Sequence, residues 1–359
     1  MSTELQTETK RVVLLEDEVL HRRLPINFQP EDLKLFEHEL EKPIPATELV
    51  QLENVRISSD GILFRGLKLL PESFAFPFLE EQWRTRSRVK FFVTNQLLRK
   101  RRSFERESLW ITDDWSYGYF HWLSDALAKL YVVRERLTDS VLLLPGHYRS
   151  LPFVTASLAA FTVPEVAYIE RDEVVVVNQL TLPTPVAPSG HFRENVVRGV
   201  RNQLLRKYGS PEANRAGRRL YISRGRAPKR RVSNEVEVIE LLREFQFEVV
   251  RAEDLTFAEQ VETASRAELL VSNHGAGLTN MMFMPTRSTV LELRHANDCI
   301  NNCYYTLADA LGLNYFYQKC EATNAAEDAH TADLLVDIAE LRRNLTDVTV
   351  VSKESERDT

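Results

Sequence analysis

Three groups of residues in this sequence have types and spacing suited to chemistry. The first is Tyr221-Ile222-Ser223-Arg224, followed by Arg231 and by Ser233-Asn234-Glu235. Between Ala213 and Asn234 lie eight arginines and lysines and no acid. Arg224 stands where a strand should end, and Ser233 or Asn234 can cap the helix that follows. Guanidinium forks match phosphate oxygens bidentately, and a helix N-terminus adds its own positive end, so the group suits a dianion. The bland alternative is a solvated basic loop.

The second group is Asn273-His274-Gly275-Ala276-Gly277-Leu278-Thr279-Asn280. Two glycines between a buried strand and a helix let the backbone approach a ligand, with N–H groups aimed at an anion. Tight strand-to-helix turns also need glycine for steric reasons, so the pair alone says little. Its position says more, because both groups end strands of one sheet. Together they fit a diphosphate neutralised by arginine rather than by metal. No lysine follows the glycines as in a phosphate-binding P-loop. No Gly-x-Gly follows the first strand of this half with an acid ~20 residues on, which speaks against a dehydrogenase.

The third group is Ser116-Tyr117-Gly118-Tyr119-Phe120-His121-Trp122-Leu123-Ser124-Asp125. His121 and Asp125, four apart, share one face of a helix. That places an imidazole beside a carboxylate, able to act as a base and its orienter. The alternative is a histidine packed among Tyr117, Tyr119 and Trp122. Asp113-Asp114 is a further carboxylate pair, readable equally as a turn and a cap. Glu292 sits in the apolar run Val290–Leu293, and a buried acid needs a partner. A sugar or ribose hydroxyl would serve, and so would Arg294.

The elements around these residues follow from hydrophobic pattern and punctuation. The N-terminal part reads as strand Arg11–Leu15, a hairpin of Asn54–Ile57 with Ile62–Phe64, a helix over Tyr119–Leu137, strand Val141–Leu144, a helix over Leu151–Phe161 and strands through Glu173–Leu182. Pro183-Thr184-Pro185 and Pro188-Ser189-Gly190 break the pattern and mark an interdomain linker. Beyond it, after a helix over Phe192–Tyr208, strands and helices alternate. Strands are expected at Leu220–Ser223, Phe247–Val250, Leu269–Ser272, Thr289–Leu293 and Tyr315–Tyr317. Helices are expected at Asn234–Phe245, Phe257–Ala267, from the glycine turn to Met284, and at Asn302–Leu311. This alternation predicts a parallel doubly wound sheet, which binds ligands outside the carboxyl ends of its strands. A last helix over Thr331–Leu345 follows a polar linker and is expected to pack back on the first domain.

At 359 residues the chain exceeds the size of one hydrophobic core, so two domains are expected. No internal repeat is present, and a net charge of −6 gives no reason to expect a nucleic-acid partner. The cysteines, Cys299, Cys303 and Cys320, are odd in number and lack histidine companions, so they read as reduced thiols with no metal. Cys299 and Cys303 are spaced to share a helix face. No apolar run reaches the ~18 residues of a membrane span, and the polar N-terminus has no apolar signal region. The expected location is cytoplasmic, or peripheral at the inner membrane face. Arg84–Arg106 is strongly basic with interleaved Phe91, Phe92, Leu97 and Leu98. It suggests contact with anionic lipid or with a lipid-diphosphate acceptor, or else a solvated face.

In this order, the three groups resemble glycosyltransferase family 61, a group first noted in bacterial capsular polysaccharide biosynthesis. The resemblance runs from Leu109 to Tyr317 through the element around His121, Tyr221–Arg224 with Arg231, Asn234 and Glu235, Gln260, His274–Asn280 and Glu292. It implies an α/β fold of GT-B type, with two Rossmann-like domains facing a cleft. The domains would be an acceptor-side domain over 1–190 and a donor-binding domain over 191–325, with a helix and polar tail over 326–359. It implies an inverting, metal-independent glycosyltransferase acting on a glycan or lipid-linked acceptor in cell-surface polysaccharide assembly. The nucleotide-sugar donor, UDP-linked, would be held by Ser223, Arg224, Arg231, Asn234, His274, Gly275, Ala276, Gly277, Leu278, Thr279 and Glu292. Asp125 or His121 would serve as the base, and no cofactor is implied beyond the donor itself. Two other readings use the same donor site: a nucleotide-sugar epimerase, and a binding protein without turnover.

Overall fold

The computed structural model describes residues 9–85, 88–136, 139–163, 165–210, 217–324 and 327–357. The chain divides into two compact units. Unit 1 takes the described residues up to Glu18 and then Ile44–Ser189, and unit 2 takes Val19–Pro43 and the chain from Gly190 onward.

Unit 1 is built on nine strands: β1 (Lys10–Leu15), β2 (Thr47–Ser58), β3 (Leu63–Arg65), β4 (Lys68–Leu69), β5 (Lys100–Phe104), β6 (Ser108–Leu109), β7 (Val141–Pro145), β8 (Glu165–Ile169) and β9 (Glu173–Pro183). Their main order is β8-β7-β6-β9-β2-β3-β4, with β1 on β2 and β5 on β9. The half containing β5 to β9 is parallel, whereas β2 runs antiparallel to β9, β1 and β3. A wholly parallel Rossmann-like sheet is therefore not what forms here. The reason is the long β2, whose turn Ser58–Gly61 sends the chain straight back into β3 as a hairpin instead of through a crossover helix. β8, absent from the sequence reading, pairs in parallel with β7. The core gathers Val50, Val55, Ile57, Leu143, Val175 and Val177.

Unit 2 contains a six-stranded sheet of β10 (Arg218–Ile222), β11 (Glu248–Val250), β12 (Ala267–Asn273), β13 (Thr289–His295), β14 (Asn314–Ala322) and β15 (Leu334–Leu335). Its order is β11-β10-β12-β13-β14-β15, parallel except for β15. All seven residues of β12 are buried, as befits a strand covered on both faces. Helices Glu235–Glu244 and Phe257–Ser265 form near their expected places, the latter started by a Thr256/Glu259 capping box. The chain leaves β10 for β11 on one side and returns across it to β12, so the topological switch point lies between β10 and β12. The segment after the glycine turn is a 3₁₀ helix, Ala276–Phe283, opened by an i→i+3 bond from Leu278 N–H to the Gly275 carbonyl (2.9 Å). A Cβ on Gly277 would stand 2.8 Å from Ile222 Cγ2, so this turn is pressed onto the end of β10.

Three expectations about boundaries change. Residues 19–43 join unit 2 because Ile26 and Asn27 bond along β14 and Asp32 accepts from Tyr317 Oη and Lys319 Nζ, both at 2.6 Å. The last helix is Ile338–Arg357 rather than Thr331–Leu345. Its apolar spacing continues from Leu341 through Leu345 to Val348, which pack with Val238, Leu241 and Leu242 inside unit 2. The tail is thus part of that unit's own core. Cys299 precedes helix Cys303–Leu311 instead of sharing a face of it, and all three cysteines are free thiols. No helix among the described residues is long and apolar enough to cross a membrane.

Candidate active site

The donor-type residues of unit 2 converge at the switch point. Ser272 Oγ donates to the Ile222 carbonyl (2.7 Å), closing the ends of β10 and β12 together. Just beyond, Arg224 folds over the glycine turn. Its Nε donates to the Arg230 carbonyl (3.3 Å) and its Nη2 to the Lys229 carbonyl (3.2 Å). A Cβ on Gly275 would lie 2.6 Å from Arg224 Cζ and 2.9 Å from Nε, so a side chain there would displace the guanidinium from this pose. Gly275 itself is extended, with φ 160°, so closeness and not backbone strain sets the requirement. Burial, reinforced by the neighbouring charge of Arg230, lowers the Arg224 pKa from its usual value. The N–H groups of Gly275, Ala276 and Gly277 meet no acceptor among the described residues. A half-buried guanidinium and three open N–H groups meet at the same turn, which is what an anionic oxygen needs.

His274 is held from behind. Its Nδ1 lies 2.6 Å from Glu292 Oε1, and Tyr315 Oη donates to Glu292 Oε2 at 2.6 Å. Glu292 is fully buried. With Nδ1–H given to this carboxylate, Nε2 is the ring nitrogen left for a ligand. Glu292 therefore orients His274 instead of reaching for a sugar hydroxyl, and Arg294 neighbours it as a buried cation stacked 5.2 Å above Phe36.

Other expected donor residues have structural duties. Ser223 Oγ donates to Glu235 Oε1 (2.7 Å) and accepts from Gly225 N–H (3.2 Å), and Tyr221 Oη donates to the same Glu235 oxygen (2.9 Å). Arg231 forms a two-pronged pair with Asp333, through Nε at 3.1 Å and Nη2 at 2.8 Å. Asn234 brackets Val336, donating to its carbonyl and accepting its N–H. Gln260 Nε2 donates to the Ala252 carbonyl (3.0 Å), and its Oε1 accepts from Asn280 (3.1 Å). Leu278 and Thr279 have fully buried side chains. The residue sequence reasoning passed over is Arg230. It takes a left-handed backbone (φ 55°), its carbonyl accepts from Asn273 and Arg224, and its buried Nε has no partner among the described residues. Nothing in the run Lys229-Arg230-Arg231 distinguishes it from Arg231, because the turn decides which side chain points inward.

In unit 1, His121 and Asp125 meet as their spacing predicts. His121 Nδ1 is 2.9 Å from Asp125 Oδ2, with the side chains 23% and 16% exposed. A π-helical turn, Trp122–Ala126, interrupts the helix there, a distortion frequent at functional sites. Ser124 Oγ donates to Asp125 Oδ1 (2.9 Å) and Ser189 Oγ to Oδ2 (2.8 Å). Ser189 arrives from 64 residues away, where the sequence shows only a linker. Its oxygen sits on the Nδ1 side of the ring, 3.2 Å away, so it is not placed as a nucleophile activated at Nε2. Trp115 and Phe120 flank the imidazole edge-on, each with ring centroids 5.0 Å away. His121 is therefore packed among aromatic rings and paired with Asp125 at once. Nδ1–H points at a carboxylate, and Nε2 is left to take a proton.

Asp113 and Asp114 are structural. Asp113 accepts from Ser116 Oγ (2.7 Å) and pairs with Lys129 (3.1 Å), while Asp114 accepts from Ala75 N–H (2.9 Å). Burial alone would raise the Asp113 carboxyl, but Lys129 and the Ser116 bond hold it below the usual range. Burial does raise Asp114.

Residues 119–291 match the family model described as Glycosyltransferase 61, a span from the His121 helix to β13. The EGF domain-specific O-linked N-acetylglucosamine transferase of Drosophila melanogaster is 35% identical over 98 residues, 26% of this chain and 18% of that enzyme. The protein O-linked-mannose beta-1,4-N-acetylglucosaminyltransferase 2 of Mus musculus is 40% identical over 97 residues, 26% of this chain and 17% of that enzyme. Each match thus spans less than a fifth of the relative's length. Residues 119–291, just under half of the chain, are a glycosyltransferase family 61 domain by the family match.

Proposed function

We propose that this chain transfers a sugar from a nucleotide-diphosphate donor, held at the switch point of unit 2, to a hydroxyl of a glycan or lipid-linked acceptor met by unit 1, in cell-surface polysaccharide assembly. The observation that carries the reading is the Arg224 guanidinium packed on Gly275 beside three open N–H groups. Arg230 adds a second cation, and His274, fixed by Glu292, adds an Nε2. This set supplies positive charge to a departing diphosphate without calling on a divalent ion. We take UDP as the nucleotide. The names of the two relatives favour N-acetylglucosamine as the sugar.

In the reaction proposed, His121 Nε2 takes the proton of the acceptor hydroxyl while the acceptor oxygen bonds to the anomeric carbon. The bond from that carbon to the diphosphate oxygen breaks on the opposite face, which inverts the configuration. Asp125 steadies the imidazolium through Nδ1–H, as a carboxylate does for any histidine base. Departing charge falls on Arg224, Arg230 and the turn N–H groups.

Thermal unfolding with UDP, GDP, CMP and ADP in the presence of EDTA tests the reading. A ligand at about 100 times its Kd adds about 2.7 kcal/mol, which raises Tm by several degrees. One diphosphate should give that rise in the wild type and none in Arg224→Ala. No rise with any of the four nucleotides would overturn the proposal.

A further inference from the structure

One surface of unit 1 has no part in the chemistry above. Helix Arg88–Val93 and the π turn Thr94–Leu98 form one helical segment. Its inner face sets Phe91 and Phe92 against Phe64, with Trp83 on Phe91, so the aromatics noted in the sequence are core. The outer face is apolar and open. Val89 is 77% exposed, Val93 43% and Leu97 75%, and steps of four residues align them in one stripe. Leu98 beside them is 74% exposed. Arg88 Nη2 donates to the Leu67 carbonyl (2.7 Å) and Gln96 Nε2 to the Gly66 carbonyl (2.6 Å). These bonds fasten the β3–β4 turn to the segment, and Leu67, 64% exposed, joins the stripe. Scattered single aliphatics on a surface need no explanation, but a patch of five does.

Its charge narrows the partner. No acid occurs between Arg88 and Phe104. Lys100, Arg102 and Arg106 are neutralised by Asp172, Glu173 and Glu165. Arg99, which follows Leu98, lies 3.9 Å from Asp60, but four other cations beside the stripe have no acid partner among the described residues. Arg88 and Arg101 donate only to carbonyls, of Leu67 and Gln96, and Lys68 and Lys90 have no carboxylate partner among the described residues. A second copy of this chain meeting the patch across a two-fold axis would bring these like charges together. We propose that this face docks on an anionic lipid surface, with Leu67, Val89, Val93, Leu97 and Leu98 in the headgroup layer and the four cations against lipid phosphates. The proposal is independent of the transfer reaction.

The test is flotation of the whole chain with phosphatidylcholine vesicles, with and without phosphatidylserine. Binding is expected with phosphatidylserine and little without it. Raising salt from about 0.1 M to about 1 M shortens the screening length from ~10 to ~3 Å and should release most of the protein. Lys90→Ala should weaken partition about fivefold, the factor equivalent to ~1 kcal/mol for one cation near such a surface. Val89→Ser with Leu97→Ser should weaken it by about tenfold or more, from the lost apolar burial. These positions are exposed, so Tm should hold, and Lys90→Ala retains the test if the double variant misfolds. Equal binding to both vesicles, binding to neither, or variants that bind like the wild type would overturn the proposal. So would a concentration-dependent dimer that Val89→Ser with Leu97→Ser abolishes, which would assign the face to a second copy.

Discussion

The guanidinium of Arg224 occupies the space that a side chain at Gly275 would fill. A Cβ there would come within 2.6 Å of Cζ. Arg224 and Gly275, 51 residues apart in sequence, thus form one structural device. Gly275→Ala should therefore act through Arg224. We expect nucleotide-diphosphate affinity to fall about tenfold to a hundredfold, the worth of a hydrogen bond to a charged group. In an Arg224→Ala background the same substitution should cost almost nothing. A double-mutant cycle read by calorimetric titration checks this, and additive losses would refute the coupling.

Arg230 and Arg231 should part company. Arg230→Ala removes a cation from the turn and should weaken diphosphate binding about tenfold or more. Arg231→Ala breaks a half-exposed pair with Asp333, worth under about 1 kcal/mol, and should leave affinity unchanged. Equilibrium titration of the two variants side by side decides the matter.

The dyad of unit 1 yields a kinetic expectation. His121→Gln and Asp125→Asn should each lower kcat about a hundredfold to ten-thousandfold with donor affinity intact, because base and orienter act on the acceptor. Ser189→Ala should do less, about threefold to tenfold, as Asp125 loses one of its three donors. Unchanged kcat in His121→Gln would remove the histidine from the mechanism.

Tyr315→Phe probes the support behind His274. It leaves Glu292 Oε2 buried without the Tyr315 donor and should cost about 1–3 kcal/mol in chemical denaturation. Glu292→Ala should also lose diphosphate affinity, since His274 is then unheld.

His191 sets an acid limit on unit 2. Arg22 Nη2 approaches its Nδ1 at 3.3 Å and can only donate, so the imidazole is neutral even with Glu39 Oε2 3.4 Å away. Burial, with Lys42, Arg22 and His38, pushes its pKa down to about 3. Unfolded histidine titrates near 6.5, so the unfolded state binds the extra proton between these values. Stability from this group is complete above about pH 6.5 and declines as pH falls toward 3, by at most ~1.4 kcal/mol per pH unit. His191→Gln should flatten the decline between pH 6.5 and 5, where carboxylates contribute least. Denaturation midpoints of both forms across that range give the answer, and parallel curves would assign the slope elsewhere.

Much of this was legible in the sequence because local pattern governs it. Strand–helix alternation after residue 218 predicts the parallel sheet, and the i, i+4 spacing alone brings His121 to Asp125. Glycines after a buried strand announce a close approach without saying what approaches. The rest needed three dimensions. Ser189 reaches Asp125 from a linker, and no spacing rule spans 64 residues. Adjacent arginines look alike in sequence, yet a left-handed turn sends Arg230 inward and leaves Arg231 to Asp333. Glu292 reads as an acid in search of a ligand until Tyr315 and His274 are found on either oxygen. Composition and period are properties of neighbours along the chain and fix the elements and their faces. Which side chain meets which across the fold depends on how those elements pack, and there the tertiary structure decided.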